Sequence, residues 1–152
     1  MLPYTEIIHD KLSIILTFAY SWTHLRDFLG DRLQGEFKFL DKTINRIGPE
    51  HAIRAFIELA AYLRLLDDSL NRQLSGVFAR QKFGRIAKKD GSEEPLFLRD
   101  LTNKIVHAKE WKWDTSAPNE PKLICLSNDP DRWLAAEVDI NAFAVFCGGL
   151  GH

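Results

Sequence analysis

Most of the signatures that tie a chain to a known chemistry are missing from these 152 residues. There are two cysteines, Cys125 and Cys147, without metal-ligand spacing, and each sits among apolar neighbours. That predicts buried free thiols in a reducing compartment rather than a disulfide. His9, His24, His51 and His107 include no pair at i and i+4, so neither a metal site nor a cofactor is expected. No glycine-rich phosphate loop, nucleophile elbow or zinc-protease helix occurs, which removes most familiar enzyme classes. A charge excess is missing too: 20 Lys and Arg stand against 21 Asp and Glu. No global field therefore draws the chain to nucleic acid or membrane, and any such affinity must come from a local patch. The apolar run "IIHDKLSIILTFAYSW" is interrupted by His9, Asp10 and Lys11 and is followed by no small-residue cleavage site. Neither a secretory leader nor a membrane span is expected, and the cytoplasm is the expected location. Internal repeats and low-complexity tracts are absent.

What remains is an ordinary globular composition, 45% hydrophobic and 27% charged, with 10 Phe and 4 Trp. The length suits one domain with a core of its own. From Thr5 to about Leu29, apolar residues including Ile8, Leu12, Ile15, Ala19 and Trp22 recur at helical spacing, with Gly30 as a stop or kink. A short helical segment over Glu36 to Ile47 should end at Gly48. Pro49 suits the first position of the next helix, whose stripe from Ile53 through Phe56, Ile57, Ala60, Leu63 and Leu66 reaches about Leu74. Residues 75–94 read as a long basic connection with one ordered turn, and Pro95 as the start of a helix running to about Lys109.

Beyond a proline-bearing loop, "LICL" and "WLAAEV" flank the turn-rich "SNDPDR" and predict a β-hairpin. Asp139 is placed to cap a last helix over Ile140 to Cys147. The expected fold class is therefore mainly α. A bundle of about four helices fills residues 1–110, and a hairpin and short helix over 118–147 pack on it.

The stretch "LRDLTNKIVHA" (98–108) concentrates polar chemistry beside a core-forming pattern. On a helix Leu98, Leu101, Thr102 and Ile105 share the apolar face, with Val106 at its margin, while Asp100 and Lys104 point toward solvent. Arg99, Asn103 and His107 follow at four-residue steps as a polar ridge. A guanidinium, an amide and an imidazole on neighbouring turns can converge on one anion, and an imidazole moves protons near neutral pH. The same spacing also describes any solvated helix face, so a structural role stands beside the chemical one.

"TNKIVHA" resembles the signature of the HEPN superfamily (higher eukaryotes and prokaryotes, nucleotide-binding), in which an Arg, a polar residue and a His lie on a late helix of a bundle. Asn103 matches the polar position and His107 the histidine. Thr102 stands where the family has arginine, and Arg99 lies one turn earlier. "NKIVHA" is also similar to a motif in small bacterial proteins of unassigned function. The HEPN resemblance implies a protein of bacterial RNA metabolism or defence that binds RNA or cuts it without metal. His107 would act as general acid or base, Asn103 would position phosphate, and Arg99 would hold it. It also implies self-association through the motif helix. A non-enzymatic interaction domain with a homodimer or protein partner is the alternative.

Arg80, Lys82, Arg85, Lys88 and Lys89, with Phe83 among them, offer phosphate contacts and a stacking ring, joined by Lys104 from the motif helix. Trp111 and Trp113 would share one side of an extended segment, as a stacking platform or as core packing. Asp67 and Asp68, adjacent on a helix, diverge too far for a catalytic dyad; either can pair with Arg64 or Arg99.

Overall fold

The structure is a computed structural model that describes residues 3–32, 35 and 38–150. Two long helices dominate it: α1, Pro3–Arg32, and α2, Lys38–Ser69. Along α1 the buried positions Ile8, Leu12, Ile15, Ala19 and Trp22 alternate steps of four and three, with Leu29 two turns further on, the seam of a coiled-coil-like pair. The opposing stripe on α2 includes Ala52, Phe56, Leu59 and Leu63. Lys11 pairs with Glu58, while Trp22 lies against Gly48, so one helix descends as the other climbs and the pair is antiparallel.

The expected break at Gly48-Pro49 does not occur: α2 runs straight through, with Pro49 inside it. Packing outweighs the lost N–H. A Cβ at Gly48 would lie 3.3 Å from the Trp22 ring, and the Pro49 carbonyl accepts the Trp113 indole N–H at 3.3 Å. Gly30 likewise stays helical within α1. The start of the segment expected from Glu36 lies outside the described residues.

The larger correction lies between residues 70 and 97. The expected basic loop contains a short helix, α3 (Gln73–Val77), and a hairpin of β1 (Gly84–Ala87) and β2 (Glu93–Pro95). Pro95 ends a strand rather than starting a helix. The turn is closed by Asp90, whose Oδ1 accepts the Ser92 N–H at 2.9 Å, and by Gly91 at φ +85°. Phe83 is completely buried among Phe143 and Phe146, so it offers no stacking face.

The motif helix follows as α4, Leu98–His107. It leads directly into β3 (Ala108–Asp114), then β4 (Lys122–Ser127), β5 (Ala135–Asp139) and α5 (Ile140–Gly149). The predicted β4–β5 hairpin forms, in the register Leu123↔Val138 and Cys125↔Ala136, and Asp139 caps α5 by accepting the Ala142 N–H at 3.2 Å. The sheet is larger than a hairpin, with five antiparallel strands in the order β2-β1-β5-β4-β3. Trp111 and Trp113, on one side of β3, pack against the core, with Trp113 5.0 Å from the Phe18 ring.

One contiguous apolar core joins α1, α2, α4, the inner sheet face and α5. Both cysteines are free and buried in it, and burial pushes the Cys125 thiol up to about 12. No helix among the described residues is long and apolar enough to cross a membrane.

Candidate functional site

The α4 helix is strongly two-sided. Leu98, Leu101, Thr102 and Ile105 are buried, as the spacing predicts, and this face docks on α2 and the sheet. That docking decides where each polar residue goes.

Thr102 is 2% exposed, and its hydroxyl donates to the Arg99 carbonyl at 3.0 Å. A guanidinium rooted there would have to displace the α2–α4 packing to reach the hollow described below.

Arg99 is committed elsewhere. Its Nη1 lies 3.0 Å from Asp67 Oδ2 and 2.8 Å from Asp68 Oδ1. The two side chains that diverge on α2 thus meet again on one cation from α4. Donating to the Asp68 carboxylate raises the Arg99 pKa further. Asp67 is buried, which by itself pushes its carboxyl pKa up. Hydrogen bonds from Ser75 (backbone N–H to Oδ1, 2.9 Å) and from Arg99 outweigh that and hold it below the usual carboxylate range.

Asn103 and His107 do stand together, at the seam of two open hollows. The first, about 410 Å³, is mostly apolar and lies between α2 and α4, lined by Ala61, Leu65, Thr102 and Val106 with Arg64 and Asp68. The second, about 370 Å³, is polar and lies between α4 and the β4–β5 loop, lined by Lys104, Asn128, Asp129, Arg132 and Trp133. Asn103 and His107 belong to both, and Arg99 to neither. The His107 imidazole is exposed and makes no hydrogen bond to any described residue.

The cation beside Asn103 is one the sequence did not single out for this site. Arg64 of α2 donates from Nη1 to Asn103 Oδ1. With Oδ1 occupied, the amide presents its two N–H donors. Arg64 Nε is buried without a hydrogen-bond partner, 3.8 Å from Asp68 Oδ2. Asp68 therefore lies between Arg64 and Arg99 and couples the two arginines. No signal in the chain links residue 64 to 103 except the register of the two helices.

Lys104 departs from its expected solvent position. Its ammonium lies 4.7 Å from the centroid of the Trp133 ring, and burial lowers its pKa, with Arg132 and Lys88 acting in the same direction.

The remaining cations expected to meet RNA are dispersed. Arg85 pairs across the sheet with Glu137 at 3.2 Å and with Glu93 at 3.3 Å. Lys88 faces Glu94 at 3.4 Å, and Lys89 faces Asp131 at 2.9 Å. Arg80 and Lys82 are exposed ahead of β1 and line neither hollow. The basic stretch is thus not one unpaired patch: three of its five cations face carboxylates.

Among the described residues no three His, Cys, Asp or Glu side chains converge as a cation site. Comparison of the chain with known protein families, curated proteins and solved structures finds no match in any of the three.

Proposed function

We propose that the protein binds RNA at the α4 seam and that His107 transfers a proton there in metal-independent cleavage. The observation that carries this reading is the position of His107. It is an exposed imidazole between two open hollows, unengaged by any described residue, with Arg64, Lys104 and Arg132 around it. The resemblance of "TNKIVHA" to the HEPN signature supports it, with Arg64 supplying from α2 the cation that Thr102 lacks.

In such a reaction the ribose 2′-oxygen bonds to the adjacent phosphorus as the bond to the 5′-oxygen breaks, leaving a cyclic phosphate. His107 takes the 2′-proton or protonates the departing 5′-oxygen. Asn103 donates its amide N–H groups to a phosphate oxygen, and Arg64 holds that amide in place while adding positive charge. Removing one such preorganised donor costs about 2.7–4 kcal/mol in a transition state.

The test uses purified protein with transfer and messenger RNA in chelator, beside His107→Ala and Arg64→Ala. Cleavage by the wild type with a loss of 100-fold or more in His107→Ala supports the reading. Equal cleavage by both proteins, or none by either, removes the nuclease.

A second reading rests on a specific feature of the same place. Leu65, 67% exposed, and Val106, 38% exposed, flank the apolar hollow and would suit a partner subunit. Sedimentation of wild type and Leu65→Glu distinguishes it, since a dimer formed through this face dissociates in the variant.

A further inference from the structure

The two hollows on either side of His107 differ in chemistry. The α2–α4 hollow is walled by Ala61, Leu65 and Val106, and its one cation, Arg64, is balanced by Asp68. Away from the seam its walls are apolar, and a flat apolar group suits them.

The hollow under the β4–β5 loop carries Lys104 and Arg132 against one carboxylate, Asp129, which is only loosely paired with Arg132 at 3.8 Å. The amide of Asn128 adds hydrogen-bonding capacity. Lys104 is held over the Trp133 indole, with Arg132 and Lys88 adding like charge and Asp100 and Glu94 opposing it from outside the hollow. An anion between Lys104 and Arg132 would meet both cations across the hollow. The neighbouring hollow beyond Arg132 is different: its Lys88 and Lys89 face Glu94 and Asp131, and Asp90 adds a third carboxylate. Excess positive charge therefore stops at Arg132.

We infer that the β4–β5 loop adds a phosphate subsite, built by Lys104 and Arg132 with Asn128, to the α4 helix, and that the α2–α4 hollow takes the base of the same nucleotide. This rests on the RNA reading of the site and assigns its two ends. The sugar lies at the seam, where Asn103 and His107 reach both compartments. Trp133 is nearly buried beneath Lys104 and serves as the floor of the phosphate subsite, not as a stacking partner.

The experiment is calorimetric titration of the whole chain with adenosine 3′-monophosphate, adenosine and inorganic phosphate. The monophosphate is expected to bind at least tenfold more tightly than either part, because the second contact becomes intramolecular. Arg132→Ala and Lys104→Ala should each weaken the monophosphate about 10- to 100-fold, the range for a charge-assisted contact, and leave adenosine unchanged. Leu65→Asn should weaken adenosine and monophosphate alike. Lys89→Ala, whose ammonium faces Asp131, should change none of them.

Equal binding of adenosine and its monophosphate, or indifference to Arg132→Ala, overturns the phosphate subsite. A fluorescent single-stranded RNA decamer separates the two levels of inference. If the decamer binds and loses affinity in Asn103→Ala while the monophosphate does not bind, the two-compartment assignment fails alone. If neither ligand binds, the RNA reading fails with it.

Discussion

Removing the carboxylate of Asp67 tests the tie that aligns α2 with α4 and so places Arg64 beside Asn103. The Asp67 side chain is 3% exposed and accepts two hydrogen bonds, from the Ser75 N–H at 2.9 Å and from Arg99 at 3.0 Å. Each bond to an ionised group contributes about 1.5–3 kcal/mol. Two facts pull the sum for Asp67→Ala to the low end: Arg99 keeps Asp68 at 2.8 Å, and Ser75 is only partly buried, so water can reach its N–H. The expected loss is about 3 kcal/mol, or about 10 °C in Tm for a chain of this length. Asp68→Ala removes a half-exposed partner of the same cation and should cost less than about 1 kcal/mol.

Urea denaturation of the two variants beside wild type reads the difference directly. The pH dependence supplies a second reading. Because the folded state lowers the Asp67 pKa, its stabilisation is complete above the ordinary carboxylate value of about 3.9 and disappears as pH falls through the lower folded value. The stability gap between wild type and Asp67→Asn should therefore close in acid and stay open at neutral pH. Equal losses in Asp67→Ala and Asp68→Ala, or a gap that widens in acid, would refute the assignment of Asp67 as the buried anchor.

Placing at position 102 the arginine of the HEPN signature, through Thr102→Arg, should not create or enhance a nuclease. Thr102 is 2% exposed, so the longer side chain must displace its neighbours to reach the hollow and costs about 1–3 kcal/mol by overpacking, measured by thermal melting beside a cleavage assay. A variant with wild-type Tm and raised cleavage would sink that expectation. Gly84 has φ +144°, and a Cβ there would lie 1.8 Å from the Glu137 carbonyl oxygen. Gly84→Ala should therefore separate β1 from β5 and lower stability by more than about 3 kcal/mol, seen as loss of the cooperative unfolding transition at 37 °C.

Helix periodicity was the legible part of the chain. The α1 seam, the buried face of α4 and the α5 cap are each dictated by near neighbours, so spacing and one capping side chain suffice to place them. The β4–β5 hairpin was legible for the same reason. The β1–β2 hairpin was not, because β1 is four residues long and its charges resemble a loop. The Asp90-Gly91 pair was the available turn signal. Pro49 misled in the opposite direction: its local preference for a helix start gave way to the packing of Gly48 on Trp22.

For the site, local sequence determined that Asn103 and His107 share one face of α4 with Arg99 a turn away, because a helix repeats its own geometry. Which of these residues face a common space was decided only by tertiary packing. The docking of α4 on α2 draws Arg99 to Asp67 and Asp68, buries Thr102, and brings Arg64 to Asn103. The β4–β5 loop then sets Arg132 across from Lys104. Residues 39 and 28 positions apart meet through the register of packed elements, a quantity to which no local pattern is sensitive.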